Sequence, residues 1–186
     1  MSNLSDLDKE FLKAASENDA AKVFHLKKLG ANILAQEEHN GKTAAILLAE
    51  CGNWKAVLRL AWLCSKVLKQ ADCRGNTAAI LLAQHGVWEA VNELVFLCPE
   101  VLEQANDNGD TVAFQLAKCG DGEAVIRLAS YHVAVKQETE VIAMAIATKN
   151  TALIAKLINA GFACPSTMDE QLNDVGLTLK DIVNAA

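Results

Sequence analysis

The chain carries the same short sequence, TAAILLA, twice at a fixed interval of 34 positions. The first copy occupies residues 43–49 and the second 77–83, and a third copy, TVAFQLA, begins at Thr111 after the same interval. Self-similarity at a period of roughly 20 to 50 residues is typical of repeat proteins, whose units bury their apolar faces only against their neighbours. The sequence therefore predicts a row of stacked units rather than a fold that closes around one centre.

Two glycines in each unit predict where its helices begin and end. The first glycine stands in a polar turn just before the threonine, and the second closes the short apolar segment that follows it. A turn glycine allows a positive φ, the threonine predicts a helix N-cap, and the second glycine fits the end of a short helix. A longer apolar-periodic helix completes the unit. The turn glycines are Gly41, Gly75 and Gly109, the capping threonines are Thr43, Thr77 and Thr111, and the second glycines are Gly52, Gly86 and Gly120.

The register weakens toward both ends of the chain. Val23 and Leu26 precede Val57 and Leu60 by one full repeat period, but Leu7 occupies the position of the turn glycine. At the other end, the apolar pattern of the second helix returns after residue 149 with a shorter spacing, and a polar stretch and a last apolar segment follow. Terminal units of repeat proteins depart from the consensus because their outer side faces water. We therefore expect a capping repeat at each end.

The predicted architecture is an all-α helical solenoid of about five helix pairs. Three full 34-residue repeats stand between two capping repeats, and a short helix seals the carboxy-terminal end. The predicted divisions are an N-terminal capping repeat over 1–37, three central repeats over 38–137, a C-terminal capping repeat over 138–163 and a tail over 164–186.

This repeated pattern resembles the ankyrin-repeat family. The resemblance covers residues 4–163 and is strongest over 38–128. The resemblance is to a divergent member, because Thr43 is followed by Ala-Ala-Ile instead of the family's Pro-Leu-His, and because the unit is one residue longer than the family's length of about 33. A tetratricopeptide-like or other helical repeat is the alternative fold. The matching residues are the Gly-x-Thr turns, the second glycines, and the apolar columns Val57, Val91 and Val125 and Leu60, Leu94 and Leu128.

Composition and charge disfavour several classes of protein. With 17 basic and 23 acidic residues the net charge is −6, which disfavours binding to a phosphate backbone. The apolar stretch of residues 141–148 is far too short for a membrane span, and the amino terminus lacks the pattern of a signal peptide. The six cysteines include no CxxC pair and indicate free thiols in a reducing compartment. We expect a cytoplasmic protein that binds neither nucleic acid nor membrane.

No arrangement of residues in the sequence predicts catalysis, a cofactor or a metal. Cys51, His85 and Cys119 share one repeat column and have the side chains of metal ligands. Stacked helices lie roughly 8–10 Å apart, however, whereas zinc ligands lie about 2.0–2.3 Å from one ion. Cys73 and His39 also stand one repeat apart, which leaves the thiol without a neighbouring base. We therefore expect a protein that is not an enzyme.

The resemblance implies a protein-binding surface, made of the hairpin tips and the exposed face of the short helices. These positions are not needed by the core of a repeat, so a partner can read their variation from copy to copy. The tip positions are His39, Asn40, Lys42, Cys73, Arg74, Asn76, Asp107, Asn108 and Asp110, and the helix positions are Glu50, Cys51, Gln84, His85, Lys118 and Cys119.

The predicted function is a non-catalytic, monomeric scaffold for protein–protein interaction. Asp107 and Asp110 make the third tip acidic, and this local charge predicts a partner with a basic segment. The scaffold is either an adaptor in the cytosol of its own cell or a secreted effector of an intracellular bacterium that binds a host protein. The sequence leaves both alternatives open, and a translocation assay with the carboxy-terminal tail removed would distinguish them.

Overall fold

The computed structural model describes residues 4–131, 135–136 and 138–185, and the regular structure in these ranges is helical. The predicted all-α class is thereby confirmed. None of the helices in these ranges is long and apolar enough to cross a membrane. Residues 1–3 of the predicted N-terminal cap, residues 132–134 and 137 of the third central repeat, and Ala186 of the tail lie outside the described residues.

The helices alternate between short and longer ones through the central repeats. Two 3-10 helices, Ser65–Lys69 and Pro99–Glu103, follow the longer helices of two repeats. Isolated β-bridges join Gln36 to Thr43 and Ala71 to Thr77. The α-helices in the described part of the chain are α1 (Asp6–Ser16), α2 (Ala20–Lys28), α3 (Ala44–Glu50), α4 (Trp54–Leu63), α5 (Ala78–Gln84), α6 (Trp88–Leu97), α7 (Val112–Lys118), α8 (Gly122–Tyr131), α9 (Thr139–Ala147), α10 (Thr151–Asn159), α11 (Met168–Asp174) and α12 (Leu179–Ala185).

The short helices α3, α5 and α7 begin at the predicted threonine caps. The hydroxyl oxygens of Thr43, Thr77 and Thr111 accept the N–H three residues later, at 3.3, 3.3 and 3.1 Å. Thr43 and Thr77 are almost fully buried, with 0 % and 1 % of their surface exposed. Because water does not reach these two positions, the hydroxyl satisfies an amide that would otherwise have no partner.

The same three helices end at a left-handed glycine, as the sequence predicts. After α3, the N–H groups of Gly52 and Asn53 donate to carbonyls of the last helical turn, each at 2.9 Å, which is the bonding of a Schellman motif. The same pair of bonds recurs at Gly86 and Gly120. The chain therefore turns back in the same way after each short helix, and the longer helix packs against the short one.

This turn persists at two places where the glycine is absent. Asn18 after α1 and Lys149 after α9 have positive φ angles of 57° and 55°. Asn18 precedes Gly52 by one full repeat period, so the first helix pair follows the plan of the central ones although asparagine stands at the position of the second glycine.

The chain divides into two compact units, Met1–Asp110 and Thr111–Ala186. In the first unit, α3 packs between α1 and α5, α4 packs on α6, and the two 3-10 helices contact each other. Leu60 and Leu94, which share a predicted apolar column, are fully buried in α4 and α6. Helices at corresponding positions of successive repeats are thus neighbours within this unit.

In the second unit, α9 packs on α7, α10 and α11, and α10 also packs on α8 and α12. The sequence predicts one short helix in the tail, whereas the structure has two, α11 and α12. The residues of α11 are largely polar, and among them only Leu172 is buried. A single apolar residue gives no periodic signal, so this helix could not be predicted from the pattern.

Candidate protein-binding surface

Backbone hydrogen bonds hold the hairpin tips of the first unit side by side. The Cys73 N–H donates to the Asn40 carbonyl at 2.7 Å, and the Asp107 N–H donates to the Arg74 carbonyl at 3.0 Å. The two bonds are equivalent, because their donors and their acceptors are each one repeat period apart. We call residues 39–42, 73–76 and 107–110 the tip row.

The second and third tips approach each other so closely that Gly75 has no room for a side chain. A Cβ at this position would lie 2.9 Å from the Asn106 Cα and 3.0 Å from the Asp107 nitrogen. The φ angle of Gly75 is also positive, at 75°. The turn glycine therefore serves two purposes, because it permits the turn and also the contact between tips.

Two side chains just before the tips organise the turns from inside. Asp72 Oδ1 accepts the N–H groups of Arg74 and Asn76 at 2.9 and 2.8 Å. Asn106 Oδ1 likewise accepts the N–H groups of Asn108 and Asp110, at 3.0 and 2.9 Å. Neither residue is among the positions predicted from the sequence, although an Asp or Asn that bonds to the backbone two residues on is a known turn signal.

The side chain of Asn76, a predicted partner residue, belongs to this internal network. Its Nδ2 donates to Asp72 Oδ2 at 3.2 Å, and its Oδ1 accepts the Asn106 Nδ2–H at 3.0 Å. Asn40 has a similar internal role, because its Oδ1 accepts the Lys42 N–H at 3.0 Å. These amides stiffen the tip row in addition to lining it.

The remaining tip side chains face water to different extents. Lys42 and Asp110 are half-buried. The exposed residues differ in chemistry from tip to tip, so that a repeated backbone presents an unrepeated surface. These exposed residues are His39 in the first tip, Cys73 and Arg74 in the second, and Asp107 and Asn108 in the third.

The predicted positions at the helix ends are connected to one another in part. Lys42 Nζ forms an ion pair with Glu50 Oε1 at 2.6 Å, which ties the first tip to the last residue of α3. His85 Nε2 lies 3.2 Å from the Glu50 carbonyl oxygen. Because a carbonyl can only accept, the ring donates through Nε2–H, which leaves Nδ1 toward other partners. Cys51 and Gln84, at the ends of α3 and α5, are exposed.

The other two predicted partner residues belong to the second unit. Lys118 is the last residue of α7 and Cys119 is its C-cap, and both are exposed. The same unit holds a half-buried carboxyl group, Glu138, whose Oε2 accepts the Thr111 hydroxyl at 2.5 Å. Burial raises the pKa of Glu138 above its usual range, and the bond from Thr111 opposes this rise only in part.

A groove that the sequence analysis did not predict lies beside the first tip. It has a volume of about 520 Å³ and opens between α1 and residues 37–40. Its apolar part comes from Leu4 and Leu12, while lysines of α1 and the two glutamates before His39 supply charge of both signs. We call it the α1 groove. Its lining residues are Leu4, Lys9, Leu12, Lys13, Ser16, Glu37, Glu38, His39 and Asn40.

The α1 groove exists because the first helix pair, α1 and α2, has no turn glycine before it. Leu7 stands at that position and lies inside α1, so the first helix pair starts without a hairpin tip of its own. The α1 side of the first tip is therefore not covered by a preceding tip. The absence of a turn signal was the feature of the sequence that could have indicated the groove.

The six cysteines are free thiols. All six cysteines are described, and they form no disulfide. Burial raises the pKa of Cys98, whose Sγ–H donates to Glu100 at 3.1 Å. In the part of the chain that the structure describes, no three His, Cys, Asp or Glu side chains lie close enough together to hold a metal ion.

Comparison with models of protein families and with curated proteins gives no match to the chain.

Proposed function

We propose that this chain is a non-catalytic repeat protein of the ankyrin type, whose stacked helix pairs present the tip row to a protein partner. One observation carries the proposal. The same backbone bond joins each tip to the next, and one equivalent position of the three tips exposes different side chains, His39, Cys73 and Asp107. A repeated frame with different chemistry at each step suits the selective recognition of another protein.

The caps and turns of the three central repeats, and the helix contacts of the first unit, support the ankyrin type. Threonine caps and Schellman turns recur with the 34-residue register, and corresponding helices of successive repeats pack together. The departure from the family's Thr-Pro-Leu-His falls where Ala44 and Ala45 are fully buried at the start of α3. Small side chains thus take the place of the family's proline and leucine without interrupting the cap.

The proposed partner has an apolar segment and a basic segment. The α1 groove offers the half-buried Leu4, beside the buried Leu12, to an apolar side chain at one end of the tip row. Asp107 offers an exposed carboxylate at the third tip. A partner that lies along the row meets both features, and complementary charge at the acidic end accelerates its encounter.

The thiols are consistent with a cytoplasmic location, either in the producing cell or in a host cell. Cys51, Cys73 and Cys164 are exposed and form no disulfide. Exposed thiols persist in this state in a reducing compartment. We therefore propose that the partner, too, is a cytoplasmic protein.

An affinity pull-down from lysate tests the proposed function. The tip variant carries Arg74→Glu with Asp107→Lys, and the control carries Asp169→Lys with Lys180→Glu, which leaves the net charge equally unchanged at exposed positions of the tail. We expect a protein that the wild type and the control capture and the tip variant does not. Capture of the same proteins by all three chains would contradict the proposal, and binding isotherms with the purified partner would confirm the difference.

A further inference from the structure

The longer helices of the first unit leave large apolar side chains in water. Trp62 in α4 is 68 % exposed and Phe96 in α6 is 84 % exposed. The two residues are one repeat period apart and hold the same place in neighbouring helices. Leu63, next to Trp62, is also largely exposed. Contiguous exposed apolar groups mark interaction sites, and these belong to the second helices of their repeats, not to the tip row.

Charges of opposite sign flank the two aromatic residues. Lys55 and Arg59 lie on the same stripe of α4 as Trp62, because they precede it by two turns and one turn of helix. Glu89 and Glu93 hold the corresponding positions before Phe96 in α6. We call these six residues the outer face. Its charge is positive along α4 and negative along α6.

The four charged side chains of the outer face are exposed, and none of them is in an ion pair within the described residues. No ion pair joins any of the four charged residues to another described residue. The Arg59 guanidinium lies 3.8 Å from the centre of the Phe24 ring and the Lys55 Nζ lies 5.4 Å from that of Trp54. Such contacts with aromatic rings orient the cations and leave their charge in place.

We propose that the outer face binds a second copy of this chain and forms a two-fold symmetric dimer. A two-fold axis that runs along the helices, between α4 and α6, places α4 of each copy against α6 of the other. Trp62 then lies opposite Phe96 of the second copy, and Lys55 and Arg59 lie opposite the two glutamates of that helix. Each contact occurs twice, as an isologous interface requires.

The distribution of charge selects this pairing over the alternatives. If α4 packed on α4 of the second copy, Lys55 and Arg59 would face a second pair of cations, and α6 on α6 would oppose four carboxylates. Only the crossed arrangement makes every charged contact attractive, and like charges in an interface are strongly unfavourable. The surface is thus complementary to itself, which identifies the occupant as another copy of the same chain.

The size of the outer face predicts a weak, reversible dimer. Phe and Trp side chains bury about 150–250 Å² each when they are covered, so the four aromatic rings of the dimer contribute several hundred Å². Stable interfaces bury about 1,200–2,000 Å² in total. We therefore expect dissociation in the micromolar range and weakening by salt, in place of the monomer that the sequence suggested.

Charge reversal with complementation tests the dimer of the full chain. The first variant carries Lys55→Glu with Arg59→Glu, and the second carries Glu89→Lys with Glu93→Lys. Sedimentation equilibrium from low to high micromolar concentration should show dimerisation of the wild type and at least a tenfold weaker association of each variant alone. An equimolar mixture of the two variants should form a heterodimer, because every facing pair is again of opposite sign. A chain with all four substitutions should dimerise with itself for the same reason.

Two further variants distinguish the dimer contact from general effects of net charge. Lys156→Glu with Lys180→Glu changes the net charge as the first variant does, at exposed positions of the second unit, and should dimerise like the wild type. Trp62→Ser should be monomeric although no charge has changed. Circular dichroism establishes that each variant is folded. A wild type that stays monomeric at high concentration, variants that associate as it does, or a mixture without heterodimer would each overturn the proposal.

Discussion

The hydroxyl of Thr77 is a buried hydrogen-bond acceptor at the start of α5. The residue is 1 % exposed, and its Oγ1 accepts the Ile80 N–H at 3.3 Å. We predict that Thr77→Ala lowers the free energy of unfolding by about 0.5–2 kcal/mol, the usual cost of losing an N-cap. Thr77→Ser keeps the acceptor and should retain most of this energy. Urea denaturation measures both, and equal midpoints for alanine and wild type would show that the hydroxyl contributes nothing.

Substitution of Gly75 and of Gly109 distinguishes the cost of a positive φ from the cost of a clash between tips. Both have positive φ, 75° and 82°, which costs a residue with a Cβ about 1–2 kcal/mol. At Gly109 a Cβ would meet nothing within 4 Å, whereas at Gly75 it would meet the Asn106 backbone. We predict that Gly75→Ala is clearly more destabilising than Gly109→Ala in chemical denaturation. Equal losses would mean that the tips do not touch in solution.

Glu138 gives the stability of the protein a dependence on pH. Burial raises the pKa of its carboxyl group above the ordinary value of 4.5, so the ionised form is less favourable in the folded chain than in the unfolded one. Stability is therefore lower when the pH exceeds the folded pKa, and it increases as the pH falls through that pKa. Glu138→Gln keeps an acceptor for Thr111 and removes the charge.

We predict that Glu138→Gln raises the melting temperature at pH 7 and that its advantage shrinks toward pH 4. Thermal unfolding of the two chains across this range measures the difference. Glu38→Gln is a control for the loss of one carboxylate, because its side chain is exposed. A difference between Glu138→Gln and wild type that does not change with pH would contradict the prediction.

The turn between α9 and α10 departs from the plan of the central repeats. Lys149 has a φ of 55° where those repeats use glycine, and it bears the cost of a left-handed residue with a side chain. We predict that Lys149→Gly stabilises the protein by up to about 1 kcal/mol, because relief of this strain exceeds the added freedom of the unfolded chain. Asn18→Gly should give no such gain, since asparagine tolerates this conformation and its Oδ1 accepts the Asn53 Nδ2–H at 2.7 Å. Denaturant melts that rank the two substitutions in the opposite order would refute this account.

Elements that begin and end on local signals could be predicted from the sequence. The short helices carry both, a threonine that caps and a glycine that turns. The two 3-10 helices carry neither, and they form where Val67, Leu68, Val101 and Leu102 are buried and the segments contact each other. Their cause is tertiary, and a pattern within one repeat does not contain it.

The candidate surface, too, could be predicted from the sequence only in part. Its position at the tips followed from the turn glycines, since a turn must face outward. The internal role of Asn76 did not follow, because its partners Asp72 and Asn106 meet it only when the tips are formed and stacked. The exposure of Trp62 and Phe96 could not be predicted either. An apolar residue near the end of a helix is expected in the core unless the positions of the neighbouring helices are known.

The whole first unit presents two surfaces that can be tested apart. Asp107 is exposed in the tip row, and none of the residues of the outer face belongs to a tip. We predict that Asp107→Lys slows association with the partner and that added salt slows the wild type more than the variant. Dimerisation should be unaffected by this substitution. Stopped-flow binding at two salt concentrations measures the rates, and rates that respond to neither change would show that the carboxylate serves only the turn.

The bond between tips also bears on how such a chain changes in length during evolution. Each inner tip donates to the tip before it and accepts from the tip after it, as Cys73 and Arg74 do. A duplicated unit inserted between two others therefore finds an acceptor on one side and a donor on the other, and no backbone group loses its partner. Residues 43–49 and 77–83 are identical, as we expect after such a duplication. Natural selection can then lengthen the chain and alter the exposed side chains as separate events.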